Sequence, residues 1–541
     1  MIATTFGERE KNRYICEKFE IMAQLRYPVG MQTFSNIIEE GYVYVDKTGY
    51  IKPLLEQSKY IFLSRPRRFG KSLLLSTLKA YFEGRRELFK GLAADSMDLD
   101  WTPRPVFHFD FNNGQYKRTD GLENRLISHL ARYEGIYDIA PKMEQDIVLR
   151  FENLIGEVYN KTGQKVVILV DEYDKPLLDL DENPKLFENN QTLLKGFFSN
   201  LKSMDACIEF GMLTGVARFN KVSIFSDLNN LDDISMENTY ADICGWTEKE
   251  LLEKFHLGIE ALAEDREEDF DATLQALRDF YDGYLFTQKG SRLYNPFSVL
   301  RALKAKEIDP YWFDSGTPTF LVKRIKAQGT YPPDLNGKMC TREELIAVGL
   351  DDHNPIPLMF QTGYLTIGYF NSESRLYELR FPNREVEIGF YQQLLPIYAP
   401  KVNDINSPFR FPDFKMDLYE GRVADFMERL NSLLKSLPGE DHRESTYRAI
   451  TYLLAVLCGT QVGAENHSYK GRSDLEVLTG KYIYIFEFKY NKSVEEAMEQ
   501  IQDRDYAGRY AMDNRTVYLI GANFNEKKED RGLEYKIEKL K

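Results

Sequence analysis

Arg65-Pro-Arg-Arg-Phe-Gly-Lys-Ser72 sets a glycine, a lysine and a hydroxyl in consecutive positions after a basic turn, the parts of a triphosphate cradle. Gly70 would let the backbone approach the anion, Lys71 would reach the β- and γ-phosphate oxygens, and the Ser72 hydroxyl would ligate Mg²⁺. Arg67, Arg68, Phe69 and Leu73 complete the expected nucleotide contact. The general pattern asks for a glycine five residues before Gly70, where Arg65 stands, and Pro66 removes one N–H that could face phosphate. The plainer alternative is a basic turn ahead of a helix. Asp171-Glu172 offers the complementary chemistry: Asp171 would hold Mg²⁺, and Glu172 would orient and deprotonate an attacking water. Near the other end of the chain stand Asp474, Glu487 and Lys489. Carboxylates for Mg²⁺ and a lysine beside the nucleophile are what metal-dependent phosphodiester cleavage requires.

These residues need particular elements to hold them. Ile61 to Leu63 reads as a strand running into the basic loop, and Lys71 onward as an apolar-periodic helix, the strand–loop–helix context of a P-loop. Val166-Val-Ile-Leu-Val170 is an unbroken apolar run, the mark of a parallel strand buried on both faces, and it delivers Asp171-Glu172 at its carboxyl end, a Walker B arrangement. A further strand, Ile208 to Leu213, leads to Thr214, a candidate for positioning the water, and to Arg218, a candidate for stabilising charge on the γ-phosphate. Capping and surface solvation are the alternatives for both. Tyr42-Val-Tyr-Val45 alternates like a short strand, and Asp46 and Thr48 after it either cap a helix or cover the nucleotide base.

Thr247 to Asp282 reads as helical, with Thr247 and Glu250 spaced as a capping box. Tyr364 to Phe370 and Arg375 to Phe381 flank a hairpin turn, which suggests a winged-helix-like scaffold lacking a basic recognition helix. Phe414 to Leu437 reads as a connecting helix. The last hundred residues read as αβββαβ. Ile483, Ile485, Glu487 and Lys489 share one strand face by period two, and pairing through the Thr479-Gly480 turn sets Asp474 opposite Glu487 within about two residues. Glu-x-Lys alone is weak. It recurs at Glu526-Lys528 and Glu534-Lys536, where a solvated helix face is expected.

With 541 residues, 43% hydrophobic and 28% charged, the chain has globular composition and room for about three or four domains. Its net charge of −14 excludes a chain-wide grip on polyanions, so nucleic acid would be met locally. Five scattered cysteines without a Cys-x-x-Cys pair read as reduced thiols, not a zinc site. Apolar runs fall short of the roughly 18 residues of a membrane span, and the first twenty residues are too charged for a signal peptide. A cytoplasmic protein without a membrane partner is expected.

Asp46-Lys-Thr48, Arg65 to Ser72, Asp171-Glu-Tyr-Asp-Lys-Pro176 and Leu213-Thr-Gly-Val-Ala-Arg218 together resemble the bacterial predicted AAA-ATPase family, in which Arg65 at the first-glycine position is part of the pattern. Tyr281-Asp-Gly-Tyr284, Tyr294-Asn-Pro296 and Tyr311-Trp-Phe313 resemble that family's helical-lid landmarks, though by residue type they read as aromatic core and turns. Gly471-Arg-Ser-Asp474, Glu487-Phe-Lys489, Gln500 and Glu465 resemble the PD-(D/E)XK nuclease superfamily. That resemblance implies that Asp474 and Glu487 bind metal, Lys489 assists the nucleophile, and Gln500 and Glu465 are accessory. The expected chain is thus α/β: a polar lead-in (1–24), an AAA+-like P-loop ATPase core (25–246), a helical and winged-helix-like connector (247–437) and a restriction-endonuclease-like domain (438–541). ATP and Mg²⁺ are the expected cofactors, nucleic acid (DNA before RNA) the expected partner, and a second copy of the chain a further one. The rival expectation is a nucleotide-driven switch or scaffold whose last domain binds a partner without cutting it.

Overall fold

The computed structural model describes residues 26–142, 145–178, 180, 183–218, 230–315, 321, 325–326, 332–346, 354–404, 407–438, 443–459, 461–467, 472–525 and 531–540. The expected polar lead-in and the Glu526-Lys528 pair lie outside them. The chain divides into two compact units, one formed by 1–314 with 338–385 and the other by 315–337 with 386–541.

In the first unit, α1 (Phe34–Glu39) and α2 (Ile51–Gln57) precede β1 (Tyr60–Ser64) and α3 (Lys71–Phe82). There follow β2 (Val106–Asp110), α4 (Gly121–Tyr137), α5 (Ile147–Thr162), β3 (Val166–Asp171), α6 (Pro184–Ser203), β4 (Ile208–Gly215) and the short β5 (Asp232–Asp233). The strands are parallel in the order β2-β3-β4-β1-β5. Every residue of β3 is buried, as an apolar run covered on both faces must be. Inserting β4 between β1 and β3 separates the P-loop strand from the Walker B strand by one position, so the carboxyl ends of all three open on one edge. That edge is where open α/β sheets bind ligands.

The helices α7 (Glu248–Asp265), α8 (Phe270–Tyr281) and α9 (Pro296–Ala305) pack round Trp246, Leu251, Phe255, Tyr281 and Tyr294. The capping box forms: Thr247 Oγ1 accepts from Glu250 N, and Glu250 Oε2 accepts from Thr247 N. Tyr42 to Val45 does not form the expected strand, although Val43 N donates to Arg26 O at 3.0 Å. Its alternation has another cause, because Val43 and Val45 pack against this helical cluster. Beyond it, Asp46 Oδ1 accepts from Thr48 N and Oγ1 at 2.8 and 2.7 Å while Asp46 Oδ2 accepts from Ala93 N, so these residues brace a turn.

β6 (Lys338–Cys340), α10 (Arg342–Ile346), α11 (Ile356–Thr362), β7 (Thr366–Asn371) and β8 (Leu376–Arg380) form a three-stranded sheet in the order β6-β8-β7 with two helices, a winged-helix arrangement. Every residue of α11 is buried, so no face of that helix is open to a nucleic-acid groove.

In the second unit the expected connecting helix is two, α12 (Phe411–Tyr419) and α13 (Val423–Lys435). Gly421 breaks it: its φ is +76°, and a Cβ there would lie 2.6 Å from the Tyr482 ring. α14 (Glu444–Cys458), β9 (Gln461–His467), β10 (Arg472–Leu478), β11 (Tyr482–Tyr490), α15 (Val494–Asp503) and β12 (Thr516–Asn525) follow the expected order. A further strand, β13 (Gly532–Lys539), closes the sheet as β13-β12-β11-β10-β9. Glu534-Lys536 therefore lies in a sheet-edge strand, not on a helix. β11 and β12 are parallel, which requires the α15 crossover between them. α15 packs Val494, Met498 and Ile501 onto Ile483, Ile485, Val517 and Leu519.

Candidate active sites

The P-loop runs from the end of β1 to α3. Arg68 and Gly70 take left-handed φ angles of 70° and 99°, which turn the chain into the helix start. Lys71 is buried, and its Nζ donates to the carbonyls of Arg65 (2.9 Å) and Pro66 (3.0 Å), folding the ammonium back into its own loop. Ser72 and Leu73 follow, half-buried, in the first turn of α3. Arg65 is buried. Its guanidinium donates to the carbonyls of Ser64, Ser235 and Tyr240 and lies 4.5 Å from the Phe286 ring centre, and burial pushes its pKa down to about 10. The residue that departs from the general P-loop pattern thus ties the loop to the segment after β5.

Phe69 is buried against Tyr284 and Phe286, and its carbonyl accepts from Gly245 N at 3.0 Å. Arg68 lies over Phe297 at 4.3 Å, and Trp312 Nε1 donates to Arg67 O at 3.3 Å. The aromatic landmarks are therefore core and braces for the loop.

Asp171 is buried and accepts from Thr214 Oγ1 at 2.8 Å, so the strand between the two motifs joins them as its position allows. Glu172 has a left-handed φ of 51°, a sparsely populated conformation for a residue with a Cβ. Burial raises its pKa above the usual carboxylate value, Lys71 opposes the rise, and Asp171 and Asp174 add to it. Lys71, Asp171, Glu172 and Thr214 thus gather at one edge of the sheet. Arg218 is engaged elsewhere: its guanidinium pairs with Asp233 on β5 and its N–H donates to Gln361 Oε1 at 2.7 Å. Asp174, which the sequence offered only as part of the Asp171-to-Pro176 motif and as a second choice of base, is buried completely and accepts from Val216 N (2.8 Å) and Ala217 N (2.6 Å). It is the third acid of that stretch, three residues after Asp171.

In the second unit β10 and β11 pair from Leu478↔Ile483 to Leu475↔Phe486, which carries Asp474 to the position opposite Glu487. Beyond Leu475 the Asp474 carboxylate takes over from the ladder, its Oδ2 accepting from Phe488 N at 2.8 Å. Lys489 Nζ donates to Glu487 Oε1 at 2.8 Å and to Gln500 Oε1 at 2.6 Å, and Gln500 Nε2 donates to Tyr506 OH at 3.1 Å. Tyr506, six residues beyond Gln500, was not singled out from the sequence. Gln500 reaches the site because α15 sits tightly on β12 at Gly521, where a Cβ would lie 2.8 Å from Met498 Cγ. Ser473 to Leu475 pairs with Ala464 to Asn466, which puts Glu465 on the adjacent strand at the register of Asp474.

Burial first, and then the Asp474 charge, raise the Glu487 pKa to about 7, with Lys489 opposing. Glu487 Oε2 is buried and accepts no hydrogen bond. An unmet carboxylate oxygen beside a second carboxylate fits a cation. Among the described residues no group of three or more His, Cys, Asp or Glu side chains is placed to hold one. Two carboxylates are a number with which Mg²⁺ is commonly held, together with waters and phosphate oxygens.

A predicted AAA-ATPase family model matches residues 28–225, and a PD-(D/E)XK nuclease superfamily model matches residues 442–534. An uncharacterised protein from the vnfD 5′ region of Azotobacter chroococcum mcd 1 is 36% identical over 522 residues, spanning 93% of this chain and 97% of that protein. Among solved structures, the Aeropyrum pernix ORC2 protein (ADPNP–ADP complexes) is 10% identical, with 66% of this chain and 98% of that one covered and a TM-score of 0.25. Cdc6p from Pyrobaculum aerophilum is 11% identical, with 64% and 91% covered and a TM-score of 0.22. Overlaps that shallow carry no argument.

Proposed function

Because this chain belongs to the predicted AAA-ATPase family and carries a PD-(D/E)XK nuclease superfamily domain, we propose that it binds and hydrolyses ATP and couples this to Mg²⁺-dependent cleavage of nucleic acid, DNA before RNA. Residues 25–246 would form the ATPase core, 247–437 the lid and connector, and 438–541 the nuclease domain of a cytoplasmic protein that associates with itself. Among the described residues no helix is long and apolar enough to cross a membrane. The observation that carries the reading is the buried, unpartnered Glu487 Oε2 beside Asp474, with Lys489 held on Oε1 and by Gln500.

At the ATPase site Lys71 would leave the Arg65 and Pro66 carbonyls for the β- and γ-phosphate oxygens. Thr214 holds the Asp171 carboxylate, which with Ser72 would hold the metal, and Glu172, made more basic by burial, would take the proton of the attacking water. At the nuclease site Mg²⁺, when bound, supplies Lewis-acid activation of water and phosphate. Asp474 and Glu487 would hold it, and Lys489, whose side chain Gln500 fixes, would direct an N–H at the nucleophile. A scaffold reading draws on one feature: the Lys489 ammonium already has two acceptors, as in a structural ion pair.

Incubating the purified protein with supercoiled plasmid, and separately with RNA, in ATP and Mg²⁺ or Mn²⁺ decides between them. Nicking is expected. Intact substrate across a panel of both nucleic acids sinks the nuclease reading and promotes the scaffold.

A further inference from the structure

We propose that Asp174 is a positioning residue of the ATPase site, a latch that fixes the end of β4, and with it Thr214, against the Walker B loop. The inference rests on the proposed ATPase reading. The two amides after β4 have left the ladder and need acceptors, since a buried N–H without one is costly. One oxygen, Asp174 Oδ2, serves both, at 2.8 Å from Val216 N and 2.6 Å from Ala217 N. Tyr173 grips the same stretch from either side: its N–H donates to Thr214 O (3.1 Å) and its hydroxyl to Ala217 O (2.8 Å). Two adjacent residues therefore hold 214–217 through both backbone and side chain.

Contact between the segments is as close as side chains allow. A Cβ on Gly215 would lie 2.6 Å from the Tyr173 ring and 2.9 Å from Asp174 Oδ1. The left-handed turn at Glu172 sends Asp171 and the 173–174 pair along different courses. Thr214 is thereby fixed twice, by its hydroxyl to Asp171 and by its backbone to Tyr173. Asp174 itself is poorly placed to abstract a proton from water: it is buried completely, and one oxygen is committed to two amides. Its other oxygen, Oδ1, is walled in by Gly215 and accepts no hydrogen bond.

The test uses the full chain and two substitutions. In Asp174→Asn the amide oxygen still accepts from Val216 and Ala217, without charge. In Asp174→Ala the acceptor is gone. Asp174→Ala is expected to lower kcat for ATP about 10- to 100-fold, the scale of a roughly 1 Å misplacement, with little change in KM. Asp174→Asn should stay within a few-fold of wild type, and hydrogen exchange at the Val216 and Ala217 amides should accelerate in the alanine variant only. If Asp174→Ala does not fold, Tyr173→Phe, which removes the hydroxyl that donates to Ala217 O and keeps the ring, should lower kcat about two- to tenfold. Wild-type kcat in a folded Asp174→Ala, or in Tyr173→Phe used in its place, overturns the latch. So does an equal loss in Asp174→Asn and Asp174→Ala, which would give the carboxylate charge a part in the chemistry. Absence of ATP turnover in the wild type is a different failure: it removes the ATPase reading, and the latch falls with it.

Discussion

Lys71 lies on the carbonyls of its own loop, and a triphosphate must draw it away. Lys71→Ala is therefore expected to abolish ATP turnover in a phosphate-release assay; turnover at the wild-type level would remove the P-loop assignment. Glu172→Gln should keep nucleotide binding while hydrolysis falls about 10²-fold or more, the scale of losing a positioned base. Fluorescence of Trp312, which touches the loop at Arg67 O, can report the binding. At the nuclease site the raised pKa of Glu487 gives a signed stability effect. The folded carboxyl near pKa 7 binds a proton more tightly than the ordinary value of 4.5, so its contribution to stability is present below that ordinary value and is lost as pH rises through 7. Glu487→Gln mimics the protonated form. In metal-free buffer its melting temperature should match wild type near about pH 4 and exceed it increasingly towards about pH 8. A difference that does not vary with pH would contradict this. The sequence displayed the types of these residues but not every orientation. Arg65 read as a defect in a glycine pattern because the carbonyls that hold it belong to Ser235 and Tyr240, about 170 positions away.

Short-range pattern served elements whose partners follow closely. The turn at Thr479-Gly480 was enough to place Asp474 opposite Glu487, because register in a hairpin follows from the turn. It misled where one pattern has two causes. Period two in Tyr42 to Val45 serves packing on helices, not a ladder, and Glu534-Lys536 sits on an edge strand whose charged residues resemble a solvated helix. The stretch Phe414 to Leu437 hid a break at Gly421, whose left-handed turn lies against the Tyr482 ring. The closeness of α15 to β12 was equally invisible, since a lone glycine in a strand names no neighbour. Gly521→Val should force that helix outward, cost about 1–3 kcal/mol in urea unfolding and loosen Gln500 from Lys489. Unchanged stability together with unchanged cleavage would show that the helix is not held there.

On the scale of the molecule, the two sites lie in different compact units, and mutations without shared partners, in cores of their own, usually act independently. Asp474→Ala and Lys489→Ala should each remove nucleic-acid cleavage and leave basal ATP turnover intact. Excess Mn²⁺ should restore some cleavage to the aspartate variant only, since the lysine variant keeps its metal ligands. Cleavage persisting in both would place the activity outside this site. The second unit is also interrupted in sequence: Ser315–Gly337 belongs to it, while Lys338–Glu385 returns to the first. The turn Pro332–Leu335 packs on α14, with Leu335 buried there, although more than a hundred residues separate them. During synthesis that turn leaves the ribosome well before its partner exists, and at about 5–20 residues per second it waits for seconds with an apolar side chain uncovered. No single cut separates the halves cleanly either. A fragment ending at Glu385 carries an orphaned strip of the other half, and a fragment starting at Val386 lacks it, so dissecting this protein calls for a graft of Ser315–Gly337 and not a truncation.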